Sequence, residues 1–209
     1  MVQLFIDGGG FMWPILFIFI IGFVFVGERL YHLIKGLSAN EQFAMDVAET
    51  LSSSGVEEAK AKCDAAIGPV ANLCYNALEK ANDGVDAAEK TLDQTGSIEM
   101  ATLEKNMTWI SLCIATAPML GFLGTVWGMI QAFNDIKMAN DISPAVVAGG
   151  ISVALLTTAF GLVVAVILQL LQNAVMYIID NQIVTMQKST SMLVQSIADK
   201  ARFTNANQA

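Results

Sequence analysis

The chain has 209 residues, of which 55% are hydrophobic, with a mean hydropathy of +0.56 and a formal charge of −8. That composition excludes an ordinary soluble domain. The excess of 19 Asp and Glu over 11 Lys and Arg excludes a nucleic-acid binder, because affinity for phosphate rests on Lys and Arg.

The chain opens with a short, nearly uncharged tail, 1–10, containing Asp7 and the run Gly8-Gly9-Gly10. It lacks the basic n-region and small-residue cleavage site of a secretory signal, so the apolar segment that follows is expected to be retained. That segment, 11–34, is long enough for one transmembrane helix, since about 20 apolar residues cross the hydrocarbon core. Trp13 and Pro14 open it, an interfacial aromatic and an N1-type proline. Glu28, Arg29, His32 and Lys35 mark its end. Glu28 and Arg29 are expected to form a local surface pair, worth little.

Residues 35–106 carry most of the negative charge, including Glu57, Glu58, Asp64, Asp83, Asp86 and Asp93, and read as solvated helices. Ser38-Ala-Asn-Glu41 and Ser54-Gly-Val-Glu57 match the capping box, in which serine and glutamate satisfy two free backbone amides. Pro69 and Gly84 punctuate the later helices. Phe43, Val47, Ala48 and Leu51 share one helical stripe, as do Val70, Leu73, Cys74, Ala77 and Leu78. This segment is small for an independent core, so its helices are expected to pack on extensions of the later spans.

Two runs without a single Asp, Glu, Lys, Arg or His follow, 107–133 and 145–179, joined by the polar link 134–144. Each is a transmembrane helix. The second is 35 residues, about 52 Å of helix at ~1.5 Å per residue against about 30 Å of hydrocarbon. Together with the periodic residues of 180–209, Ile183, Met186, Leu193 and Ile197, it reads as one long helix leaving the membrane. Lys and Arg flank the inner ends of all three spans (Arg29, Lys35, Lys105, Lys188, Lys200, Arg202), and only Lys137 lies in the other loops. The positive-inside rule then places the N-terminus and the link 134–144 in the periplasm, with 35–106 and the C-terminus in the cytoplasm.

Polarity inside the hairpin comes from Thr125, Ser152, Thr157, Thr158, Gln169 and Asn173. Gly121, Gly124 and Gly128 on one helix and Ala154, Gly161 and Ala165 on the other form small-residue stripes, which permit close helix packing or line a lumen. A membrane threonine commonly bonds to its own preceding turn. Thr125, Thr157 and Thr158 together could instead present hydroxyl oxygens to a hard cation or a water chain. No titratable group lies at their depth.

The segment Ala117-Pro-Met-Leu-Gly-Phe-Leu-Gly-Thr-Val-Trp-Gly-Met-Ile-Gln-Ala-Phe133 resembles the second-span signature of the MotA/TolQ/ExbB channel family. Its third-span signature is resembled by Gly149-Gly-Ile-Ser-Val-Ala-Leu-Leu-Thr-Thr-Ala-Phe-Gly-Leu-Val-Val-Ala165. Three spans, a short N-terminus and a large first cytoplasmic segment resemble the ExbB/TolQ branch over nearly the whole chain. The resemblance implies an all-α membrane protein, three transmembrane helices with long cytoplasmic extensions, assembled as a pentameric bundle around a central pore. It implies an ExbD- or TolR-like single-span partner whose aspartate titrates beside Thr125 and Thr158, and work delivered to a TonB- or TolA-like element. One position departs from the pattern: the family's glutamate five residues before the pore threonine is Val153 here. The resemblance to this branch still implies H+ as the transported ion, with Na+ the second choice because Val153 leaves oxygen-only ligands, which suit a hard cation.

No nucleophile–base pair, phosphate loop or metal cluster is present in the sequence, and His32 at a membrane boundary reads as an interfacial anchor. Cys63, Cys74 and Cys113 form no CxxC pair, so neither zinc nor a disulfide framework is expected. The expected function is a motor or channel subunit of the inner membrane with no cofactor, not an enzyme. A TolQ-like envelope-maintenance role and a passive membrane scaffold are the alternatives.

Overall fold

The computed structural model describes residues 2–36, 41–139 and 144–206. Among these residues there are eight α-helices, one 3₁₀ turn and no strand. They are α1 (Val2–Asp7), α2 (Met12–Gly36), α3 (Glu41–Ser53), α4 (Val56–Asp64), α5 (Pro69–Lys80), the 3₁₀ turn Ala81–Asp83, α6 (Val85–Leu103), α7 (Met107–Ala139) and α8 (Pro144–Ala206). α2, α7 and α8 are the three helices long and apolar enough to cross a membrane. Less than a third of each such stretch is buried within the chain, 22% to 28%. α8 is the single long helix that its sequence predicts, 63 residues without a break.

The helix ends differ from expectation at several points. The N-terminal tail contains α1. Pro14 is the third residue of α2, still inside the first turn where its missing N–H is not needed. The first half of the polar link 134–144 continues α7 to Ala139. α7 also accommodates Pro118 in its interior.

The chain divides into two compact units, the first Met1–Arg29 with Asn106–Val175, the second Leu30–Lys105 with Met176–Ala209. In the second unit α3 to α6 build a conventional hydrophobic core. Val47 and Leu51 of α3 are buried, as are Val70, Leu73, Cys74, Ala77 and Leu78 of α5, which is the stripe predicted from spacing. Ala88 and Leu92 of α6 and Met186, Leu193 and Ile197 of α8 complete the same cluster. The soluble helices therefore do pack on the extension of the third span.

Polar ties reinforce this packing. Gln182 Nε2 donates to the Leu33 carbonyl at 3.0 Å, satisfying one of the last carbonyls of α2, and Lys200 Nζ donates to the Leu51 carbonyl at 2.8 Å. Cys63 and Cys74 are free, buried thiols that hydrogen-bond to each other between α4 and α5.

The expected capping box at Ser54 is not formed. Gly55, at φ 101°, is the N-cap of α4, and no side chain caps that end. The amides of Ser54 and Gly55 both donate to the Thr50 carbonyl, at 2.9 and 3.2 Å, so Ser54 belongs to the closing turn of α3. Gly84 makes the turn into α6 by the same left-handed backbone, and Pro69 opens α5 as predicted. The other capping box begins at Ser38, outside the described residues.

The first unit has a much smaller core, centred on Ile15, Cys113, Ala117, Val164, Ala165 and Leu168. Cys113 packs there as a small hydrophobe, as its position predicts. Large apolar side chains such as Phe17, Phe122, Leu155 and Leu170 point outward. This is the pattern of helices solvated by lipid or by other apolar protein.

Candidate functional site: the α7–α8 hairpin

Small residues decide how α7 and α8 meet. A Cβ added at Gly161 would lie 2.7 Å from the Ala117 carbonyl oxygen, and one at Gly121 would lie 2.9 Å from the Thr157 carbonyl oxygen. Gly128 approaches the Ala154 backbone, 3.3 Å from such a Cβ to the nitrogen. The two stripes thus face each other inside one chain, backbone against backbone. Gly121, Gly124, Gly128, Ala154, Gly161 and Ala165 are all buried by that contact.

The three threonines take different places. Thr157 is 1% exposed; its Oγ1 donates to the Ala154 carbonyl at 2.8 Å, and its side chain fills the space left by Gly124. Thr125 is half-buried and bonds back to the Phe122 carbonyl at 2.6 Å. Thr158 is half-buried, and its Oγ1 crosses to the Gly121 carbonyl on α7 at 3.3 Å. It is the one threonine of the three that bridges the helices. By helical phase, Thr125 and Thr158 flank the α7–α8 contact on one side.

Val153 and Thr157 lie on the other side, where they help to line a cleft of about 410 Å³ with Gly9, Gly124, Trp127 and Gln131. Gly9, at φ 74°, brings the N-terminal turn against Val153, 3.5 Å from a Cβ built on it to Cγ1. The position of the expected glutamate is therefore a half-buried valine on the wall of this cleft, beside the N-terminal turn. The glycine run 8–10 was the visible signal for this turn, but nothing in the sequence tied it to Val153.

Sequence reasoning also missed the turn at Asn106 that opens α7. Asn106 adopts a left-handed backbone, φ 64°, and its Nδ2 donates to Glu28 Oε2 at 2.8 Å. Glu28 Oε1 accepts from Arg29 Nη2 at 2.9 Å, and Arg29 is only 5% exposed. The expected surface pair is thus a part-buried node that Asn106 joins. A second bond between the hairpin helices, Gln172 Nε2 to Ser111 Oγ at 2.7 Å, was likewise not anticipated.

A family model matches residues 65–188, well over half of the chain, and its description is the MotA/TolQ/ExbB proton channel family. The chain belongs to that family. An ExbB homolog of Methanothermobacter thermautotrophicus, described as a biopolymer transport protein, is 31% identical over 87% of this chain and 65% of its own length. The biopolymer transport protein ExbB of Neisseria gonorrhoeae is 32% identical over 66% of each chain. The ExbB of Xanthomonas campestris pv. campestris is 40% identical over a shorter stretch, 37% of this chain and 31% of its own. The match spans just under two thirds of the length of the first two relatives. Together they place the chain in the ExbB-like branch, as a multi-pass membrane protein.

Proposed function

We propose that this chain is the channel-forming subunit of an ion-driven complex in the inner, cytoplasmic membrane. Its N-terminus would be periplasmic and its C-terminus cytoplasmic. Five copies would surround an ExbD- or TolR-like single-span partner, and ion flow would be coupled through a TonB- or TolA-like element to transport at the outer membrane. The observation that carries this reading is the charge-free hairpin. Between Met107 and Ile179 it offers hydroxyl oxygens on one flank, Thr125 and Thr158, and no carboxylate of its own outside the 134–144 link. A membrane device that moves a proton needs a group that changes charge, and here only a partner could supply it. The ExbB names of the relatives support the branch.

Sodium as the transported ion is favoured by one feature, the uncharged Val153 where a proton-carrying glutamate is expected, which leaves oxygen-only ligands. Proton coupling remains the first reading because the matched family is described as a proton channel.

The test uses the complex purified with its co-purifying single-span protein, in vesicles at a fixed membrane potential. Thr158→Val keeps shape and removes the hydroxyl, and it is expected to lower ion flux about tenfold, the scale of one lost hydrogen bond in a barrier. Unchanged flux would remove Thr158 from the pathway, and an assembled complex that passes no ion would favour a passive scaffold. Flux that vanishes when Na+ is replaced by a larger inert cation would assign sodium.

A further inference from the structure

The flank of the hairpin that carries Thr125 and Thr158 holds a second polar level. On α8, Gln169, Gln172 and Asn173 lie 11, 14 and 15 residues beyond Thr158, spacings that return to the same side of a helix. On α7, Ser111 lies 14 residues before Thr125 and returns to the same side. These residues also meet. Gln172 Nε2 donates to Ser111 Oγ at 2.7 Å, and Gln169 Nε2 donates to Asn173 Oδ1 at 3.1 Å. Ser111, Gln169 and Asn173 are exposed and Gln172 is half-buried.

Their surroundings make that exposure informative. Asn173 is seven residues before Asp180 and Ser111 six after Lys105, so the cluster lies about 9 Å inside the nearest charges along either helix. Exposed neighbours farther round α8, Val163, Ile167 and Leu170, are apolar, and on the same flank the exposed Leu162 and Val166 lie between the two polar levels. Carboxamides turned to hydrocarbon cost several kcal/mol each on transfer scales, whereas facing water or a polar neighbour they cost little. Leu162 and Ala165 separate this level from Thr158, so the two are distinct, about 16 Å apart along α8.

We infer that Ser111, Gln169, Gln172 and Asn173 form an uncharged polar collar at the inner mouth of the ion pathway, where a hydrated monovalent cation, proton on water or Na+, is passed to the cytoplasm. This rests on the channel reading above. Carboxamides suit the task because they offer both donors and acceptors to an ion's water shell without a fixed charge that would trap it. The Ser111–Gln172 bond holds α7 and α8 in register at this level and is a positioning contact. Gln169 and Asn173 face the ion.

The test compares three versions of the full complex in vesicles: wild type, Thr158→Val, and Gln169→Leu with Asn173→Leu. The double variant is expected to conduct about tenfold less at unchanged assembly size, while Gln169→Asn with Asn173→Gln retains most of the flux. A double variant that conducts like wild type while Thr158→Val is impaired overturns the collar and leaves the channel reading standing. If Thr158→Val also conducts normally, the collar is overturned and Thr158 leaves the pathway; a wild-type complex that passes no ion overturns the channel reading itself. A second measurement covers misassembly: Asn173→Cys, in a chain whose Cys63, Cys74 and Cys113 are replaced by alanine, is exposed to a charged, membrane-impermeant thiosulfonate. Rapid labelling from the inner side with block of flux is expected. An assembled complex that stays unlabelled sinks the proposal.

Discussion

Two helical regions of this chain are held together by opposite means. In the membrane hairpin, α7 and α8 touch through backbone and the smallest side chains, and the large apolar residues point away. In the unit formed by α3 to α6 and the end of α8, Leu51, Leu73, Leu78, Leu92 and Leu193 point inward, each 1% exposed or less. The reason is the solvent. Burying leucine from water is worth about 2 kcal/mol, but lipid is as apolar as leucine, so close packing and hydrogen bonding must hold membrane helices. The same residue type therefore has a different job in each region.

The largest effect should come from removing a buried side chain in the water-facing unit. Leu78 is fully buried, and Leu78→Ala is expected to cost about 3 kcal/mol. Leu155, 65% exposed on the hairpin, should tolerate the same change within about 0.5 kcal/mol. Guanidinium or heat unfolding of the detergent-solubilised chain, followed by helix signal, reads both. Equal losses would show that the hairpin's outer face is covered within the chain.

Adding a methyl reverses the comparison. Gly161→Ala brings a Cβ to 2.7 Å from a backbone oxygen that cannot move aside, and should cost about 2 kcal/mol by forcing the helices apart. Gly96, inside α6, has only the flexible Leu73 Cδ2 near it, at 3.8 Å. Gly96→Ala should instead stabilise by about 0.5 kcal/mol or more through helix propensity. The sign of the two midpoint shifts is the result to watch. Matching signs would mean that the close approach at Gly161 is not what holds the hairpin.

How much of this was legible in the sequence follows the same divide. Spans, the unbroken α8 and the buried stripe of α5 were readable because apolar length and period report directly on burial. The small-residue stripes were readable as an interface or a lumen, but which side Thr157 and Thr158 face depends on a phase that adjacent positions cannot reveal. Ser54 misled because a four-residue pattern says nothing of the backbone, and Gly55 took the cap. The Asn106 turn was invisible, since a left-handed asparagine and its partner Glu28 are 78 residues apart and no periodicity links them.

Asn106 offers a smaller test, inside the first unit. Asn106→Gly keeps the left-handed backbone and loses the bond to Glu28, whereas Asn106→Ala loses the bond and strains the turn. The glycine variant should cost about 1 kcal/mol and the alanine variant about 1 more. Identical midpoints for the two would show that the turn relaxes to an ordinary conformation.

The smallest effect near neutral pH, and one confined to the water-facing unit, belongs to the thiol pair. The Cys74 hydrogen bond eases loss of the Cys63 proton, outweighing burial, and nearby Lys62 helps. Cys74 is pushed far up, by its bond to Cys63 and by burial. The signs oppose. Cys63, lowered on folding, contributes stability that is present above the ordinary thiol value near 9 and is lost as pH falls through its folded value. Cys74, raised on folding, contributes below that value and is lost as pH rises through it, because only the unfolded chain can then release the proton. The Cys74 shift is the one whose causes all act in the same direction, so unfolding midpoints should drift downward as pH passes 9. Cys63→Ala removes the partner bond and leaves burial alone to raise Cys74, which should make that drift shallower. Alkylation by iodoacetamide across the same pH range should modify Cys63 before Cys74 in the folded chain. Simultaneous modification would mean that the pair opens as a unit and that its folded-state bond contributes nothing.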